Sequence, residues 1–253
     1  MGESSSNLKK FLLLHPKCCF CGGNKNADSR DHLPPKSAFL SKHAPEGYVF
    51  PACSSCNQKS SNSDRIFAMI SKVAIDSYSE EQRVEFEKLC NSLSLQQSRP
   101  KFEFLTANQK KSILRNSSLL PPIGQAYGEV LMVSIESNLI NEVENVLRKL
   151  AKALHYLHTN KILKKDDLIF IRSYSNLEIL SGALECLDFS CLNSNPIISR
   201  NKVDLRSQFN YRYGITESGH TFVSLIKFGQ SFYSFIMTSS SHEEAELIFK
   251  NRS

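Results

Sequence analysis

Four cysteines stand two by two near the start of a 253-residue chain: Cys18 with Cys21 in "CCFCGG", and Cys53 with Cys56 in "CSSCN". A C-x-x-C turn aims two thiolates at one point, and two such turns complete the tetrahedron that zinc prefers. Cys19, inside the first pair, competes with Cys18 for a place, and the two-residue gap favours Cys18 with Cys21. A redox dithiol would need a single C-x-x-C at a helix start behind a buried strand, and the second pair would be surplus. The spacing predicts a closed structural zinc site that leaves no open coordination position.

Between the pairs runs "DSRDHLPPKSAF", where His32 directly follows Asp31, and Asn57 follows the last cysteine. A zinc ion joining the two turns would let these three polar groups converge without a large core. A carboxylate and an amide oxygen are hard ligands suited to Mg²⁺ or Mn²⁺. A neutral imidazole beside such an ion can take a proton from water. The ion can hold a scissile phosphate and stabilise the leaving 3′-oxygen. The expected catalytic set is therefore His32, Asp31 and Asn57, with Asp31 and Asn57 as ligands of the divalent ion. An isolated Asp-His pair is more simply a turn cap beside a loop histidine; the flanking cysteine pairs tip the balance toward chemistry.

Other candidates are weaker. Asn62 and Asp64 follow Asn57 closely and could reach the same region, although the plainer reading is an exposed helix start. His43 lies in the polar "SKHAPEG". His155 and His158 are i, i+3 neighbours, but no nearby Cys, Asp or Glu completes a ligand set. Cys90, Cys186 and Cys191 read as small buried apolar residues.

The elements that must position these groups follow from periodicity. Ile66, Met69, Ile70 and Val73 repeat at helical spacing, and "SEEQRVEFEKLCNSL" adds an acidic first turn. "QQSRPKFEF" reads as a linker, and Thr106 with Gln109 forms a capping box. The clearest helix is "NLINEVENVLRKLAKALHYLHTNKIL", with Leu139, Val143, Val146, Leu147, Leu150, Leu154 and Leu157 on one stripe. "DLIFIRSY" reads as a buried strand. The aromatic-rich tail reads as two or three antiparallel strands with turns near Glu217–Gly219 and Gly229, and a last helix capped by Ser241 and Glu244. The aromatics and arginine of "FNYRYG" and "SFYSFIM" fit one buried sheet face better than a base-stacking platform.

Composition is that of a globular chain, 41% apolar and 22% charged, with no run long enough for a spanning helix. The start lacks the layout of a signal peptide, which points to the cytoplasm, where eight cysteines do not make a disulfide framework. A formal charge of +6, spread along the chain, supports a polyanionic partner only weakly.

The stretch from Cys18 to Asp64 resembles the HNH (ββα-metal) nuclease module in its zinc-knuckle form. "CCFC", "DHLPPKS" and "CSSCNQKS" follow that pattern in order and spacing. The resemblance implies an HNH module with structural zinc at 1–66, while the periodicity of the rest reads as a helical connector at 67–120 and an α+β C-terminal domain with antiparallel strands at 121–253 for recognition or partner binding, so that the expected chain is α+β. It implies His32 as general base on the first strand, Asp31 and Asn57 as ligands of a catalytic Mg²⁺ or Mn²⁺, and Cys18, Cys21, Cys53 and Cys56 around Zn²⁺. Lys59 matches the family's lysine one residue early, and Tyr48 stands where the family's middle Asn orients the loop that carries the histidine. The implied activity is a metal-dependent endonuclease acting on nucleic acid, DNA foremost, as an effector of an antiphage or restriction system. It would be gated by a regulatory protein partner or a homo-oligomer, with no membrane partner. The rival is a non-catalytic zinc-binding adaptor that docks DNA or a protein.

Overall fold

The computed structural model describes residues 3–73, 80–94, 102–121, 126, 128, 132–184 and 190–250. Helix α1 (Glu3–Leu14) leads into strand β1 (Ser29–His32), two short 3-10 turns, and strand β2 (Val49–Ala52). Helices α2 (Ser54–Gln58), α3 (Ser61–Ser71) and α4 (Glu80–Ser94) follow. Strand β3 (Phe102–Phe104), helix α5 (Ala107–Asn116), strand β4 (Val133–Ile135) and the long helix α6 (Ser137–Thr159) come next. The remainder comprises β5 (Leu168–Ser175), α7 (Asn176–Leu180), β6 (Ser199–Arg200), β7 (Val203–Asp204), β8 (Phe209–Ile215), β9 (Thr221–Phe228), β10 (Phe232–Ser239) and α8 (His242–Lys250). The chain is α+β with antiparallel sheets, and no helix among the described residues is long and apolar enough to cross a membrane.

A four-stranded sheet of order β5-β10-β9-β8 forms the larger half, and a separate two-stranded ribbon joins β1 to β2. Strand alternation sends Phe222, Ile226, Phe228, Phe232 and Ile236 into one apolar cluster with α6 and α3, while Val223, Phe235 and Met237 meet Ala245 of α8 on the other face. Being covered on both faces, the central strands β9 and β10 are apolar almost without interruption. The main cluster also contains Cys18, Phe20, Leu33, Tyr48 and Phe50, so a single core runs across the boundaries expected at 66/67 and 120/121.

Several local expectations meet the structure directly. The capping box at Thr106 and Gln109 is present, and the stripe from Leu139 to Leu154 is buried. Leu157 departs from it, 36% exposed one turn before α6 stops at Asn160 in the left-handed region. Ser241 caps α8 by accepting the Glu244 N–H, yet the Glu244 carboxylate turns to Thr216 and Thr221 rather than closing a box. "DLIFIRSY" becomes β5, an edge strand exposed along much of its length, because burial there depends on a neighbouring strand the local pattern does not reveal. Part of the expected linker is strand β3, paired with β4. Cys90 is half-buried and Cys191 exposed, while Cys186 lies outside the described residues.

Candidate metal centre and the polar cluster beside it

The four sulfurs of Cys18, Cys21, Cys53 and Cys56 lie within 4.8 Å of one another. A tetrahedron with Zn–S bonds of about 2.3 Å has S···S edges of about 3.8 Å, so the cage fits a zinc-sized ion. The first turn closes through Gly23 N–H to Cys18 O at 3.1 Å and Phe20 N–H to the Cys18 sulfur at 3.4 Å. Gly22 and Gly23 follow at φ +72° and +75°, and a Cβ on Gly22 would meet the Lys164 backbone at 3.2 Å. That site requires glycine for both conformation and space. The second turn opens α2, with Cys56 N–H donating to Cys53 O at 2.9 Å.

Charge within the cage agrees with a cation site. Burial pulls the Cys53 thiol up, but bonds from Ser55, the Cys56 N–H and its thiol neighbours outweigh this and bring it to about 6. Burial and the adjacent thiols push Cys56 up to about 12, and burial also raises Cys18. Burial and crowding of the thiols disfavour a full set of thiolates, and a divalent ion would relieve that. Cys19 stands apart. It is 1% exposed, and its thiol donates to Pro51 O at 3.3 Å, so Cys18 supplies the cage.

The β1–β2 ribbon runs from one cysteine turn to the other, with Asp31 opposite Phe50 and His32 opposite Val49. Neighbouring strand residues leave on opposite faces. Asp31 is 9% exposed and paired with Lys149 of α6; Lys149 also donates to Ser60 Oγ at 2.9 Å. Ser60 Oγ lies 3.2 Å from Asn57 O and 3.1 Å from Asp64 Oδ2. Burial, reinforced by Asp31, pushes the Asp64 carboxyl up to about 6, and its Oδ1 is buried with no hydrogen-bond partner. Asn57 reaches back to β1, its amide donating to Ser29 Oγ and Arg30 O, both at 3.3 Å, so that among the described residues its Oδ1 is not engaged by these bonds.

His32 is half-buried. Desolvation, with Lys36, Arg30 and Arg200 adding to it, lowers its pKa to about 4, so the imidazole is neutral at pH 7. Asp31, Asp64, Ser60 and Lys149 thus share one cluster, tied to Asn57 through Ser60. Among the described residues His32 is not part of that cluster: it leaves the ribbon on the other face, under the positive potential of Lys36, Arg30 and Arg200, so the expected meeting of all three groups at one point is reduced to Asp31 and Asn57. His43 is exposed. His155 is fully buried on Thr238 Oγ1 at 2.9 Å, and His158 bonds the Tyr211 hydroxyl at 2.8 Å between Tyr213 and Phe222.

Tyr48 is tied to the large sheet. Its hydroxyl meets Tyr211 OH at 3.0 Å, and its carbonyl accepts from Leu33 N–H at 3.3 Å, just beyond His32. The segment after His32 is therefore tethered through Tyr48 and Tyr211 to His158. Lys149 escaped the sequence reading because it lies 118 residues from Asp31. A helical wheel of "LRKLAKAL" shows it on the polar face of α6 without indicating its partner. No family model, curated protein or solved structure matches the chain.

Proposed function

We propose that the chain is an HNH-type, metal-dependent endonuclease that hydrolyses nucleic-acid phosphodiesters, with DNA as the leading substrate. The observation that carries this reading is the ribbon bearing Asp31 and His32, strung between two halves of a four-cysteine cage, with Asn57 turned back onto it from the residue after the last cysteine. Cys18, Cys21, Cys53 and Cys56 would hold a structural Zn²⁺ that fixes the two turns. Asp31 and the Asn57 Oδ1 would hold Mg²⁺ or Mn²⁺, which when bound supplies charge stabilisation at the reacting phosphate. The buried Asp64 Oδ1 in the same cluster, which has no hydrogen-bond partner, offers a further oxygen to such an ion.

In this reading His32, kept neutral by desolvation and its cationic neighbours, accepts a proton from the attacking water. Arg30, Lys36 and Arg200 add positive potential at His32, which favours an anion there. Tyr48 replaces the family's middle Asn with a buried tether to Tyr211. The test is plasmid DNA with Mg²⁺ or Mn²⁺, wild type beside His32→Ala. Loss of the imidazole should slow cutting by about 10²–10⁴-fold; equal cutting by both proteins removes His32 from the mechanism.

A second reading, a non-catalytic zinc-binding adaptor, is favoured by one observation. The Lys149 ammonium sits against Asp31, where a divalent ion would bind. If neither metal produces cutting and Mn²⁺ titration leaves Asp31 unaffected, the adaptor reading replaces the nuclease.

A further inference from the structure

A cleft of about 320 Å³ separates the cysteine turns from α6, lined by Phe20, Cys56, Lys59, Arg148, Lys149 and Lys152, with no carboxylate among its lining residues. We infer that this cleft is a binding site for a nucleic-acid phosphate backbone, with Lys59 from the knuckle side and Arg148 from α6 as the two rim cations that meet it. The inference rests on the nuclease reading for the identity of its ligand and goes beyond the motif residues, because three of the four cations come from a helix far along the chain.

The geometry favours an extended anion. Asn145, Arg148, Lys149 and Lys152 stand at i, i+3, i+4 and i+7, one face of α6. Seven residues of helix extend about 10 Å, the axial length of about three phosphates on one strand at about 3.4 Å each. The two deeper lysines already have structural partners: Lys149 bonds Asp31 and lies 4.9 Å from the centre of the Phe20 ring, and Lys152 donates to Phe20 O at 2.8 Å. Four thiolates around one Zn²⁺ would also leave two net negative charges beside them, which the same two lysines offset.

The rim differs. Lys59 is exposed where α2 ends, and Arg148 is half exposed, sharing among the described residues an i, i+4 pair with Glu144. Exposed pairs of that kind are worth little, so Arg148 can change partner when a phosphate arrives. An acidic protein segment would see the same charges. Contiguity with Asp31 through Lys149 favours a nucleic acid, because a backbone lying in the cleft passes directly beside the proposed ion ligand.

The test uses the zinc-loaded full chain, without added Mg²⁺ or Mn²⁺, and labelled 20-nucleotide DNA and RNA, each single- and double-stranded. Lys59→Gln with Arg148→Gln is compared with Lys111→Gln with Lys202→Gln, which removes the same charge outside the cleft. The rim pair should weaken binding by about tenfold or more and reduce the slope of log K against log salt by about 1.8 for duplex or about 1.4 for single strand. The control pair should leave both unchanged. Zinc content and thermal midpoint verify that each variant is folded.

Unchanged affinity and slope in the rim variant, with His32-dependent cutting intact, overturns the cleft and spares the nuclease reading. Polyglutamate bound as tightly as the oligonucleotides would overturn the nucleic-acid assignment. A wild type that binds none of the four nucleic acids and, once Mg²⁺ or Mn²⁺ is added, cuts none of them overturns both.

Discussion

The ribbon β1–β2 has two strands of four residues, whereas β9 and β10 have eight each and lie at the centre of a four-stranded sheet. A ribbon that short is not stable by itself in water; β2 packs Phe50 and Ala52 into the main core, while the rest of its surroundings are turns and a five-residue helix. Its order depends on the cysteine cage at its ends and on its contacts with the large core. The sheet needs no such clamp, because α6 covers one face and α8 the other. A region whose four cysteines could hold a metal ion thus sits beside one ordered by apolar burial, and the polar groups suited to chemistry are concentrated in the first of these regions.

Removing the clamp should separate the two regions most strongly. Zinc binding to such sites contributes on the order of 10 kcal/mol, so chelation or Cys56→Ser should expose the amides of β1 and β2 to hydrogen exchange while the centre of β9 and β10 stays protected. Simultaneous loss in both would show that the common core does not permit separate unfolding. A smaller effect in the opposite region comes from Ile236→Ala. This side chain is fully buried between the sheet and α6, and its truncation should cost about 2–5 kcal/mol while one zinc per chain is retained. Denaturant unfolding and metal analysis on the same sample check both statements.

Acid should act on both regions, because the pKa values of His155 against the large sheet and His32 on the ribbon are both lowered to about 4. Burial lowers the pKa of His155 to about 4 from an ordinary value near 6.5. Between those values the unfolded chain binds the extra proton, so stability falls as pH drops through that window and levels off below it. For a fully buried imidazole the loss is on the order of 3 kcal/mol. His155→Gln should flatten that part of the pH dependence; thermal midpoints from pH 7 to pH 4 that track the wild type would remove His155 as the cause. The smallest effect expected is for Tyr48→Phe. It deletes the hydroxyl contact with Tyr211, while Tyr211 keeps His158, and should cost about 1 kcal/mol. If His32-dependent cutting slows more than that stability loss explains, the tether orients the segment carrying His32.

Much of this was legible locally. Two C-x-x-C spacings announced the cage because ligand geometry is a short-range matter, and the apolar stripe from Leu139 to Leu154 announced α6 because helical period needs only neighbours. Turns near Gly219 and Gly229 were readable from residues that tolerate positive φ. The edge position of β5, the pairing of β3 with β4 and the helix α1 were not, since each depends on what packs against it.

The sequence by itself determined that four thiolates could share a point and that an acid, an imidazole and an amide would travel with them. Tertiary structure alone decided which side chains each of these meets. It set Lys149 against Asp31, joined Asp64 to the same cluster through Ser60, half-buried His32 and tied Tyr48 to Tyr211. The physical reason is separation along the chain: a ligand turn is specified by residues three apart, whereas an ion pair across 118 residues exists only because a buried core brings α6 beside the ribbon.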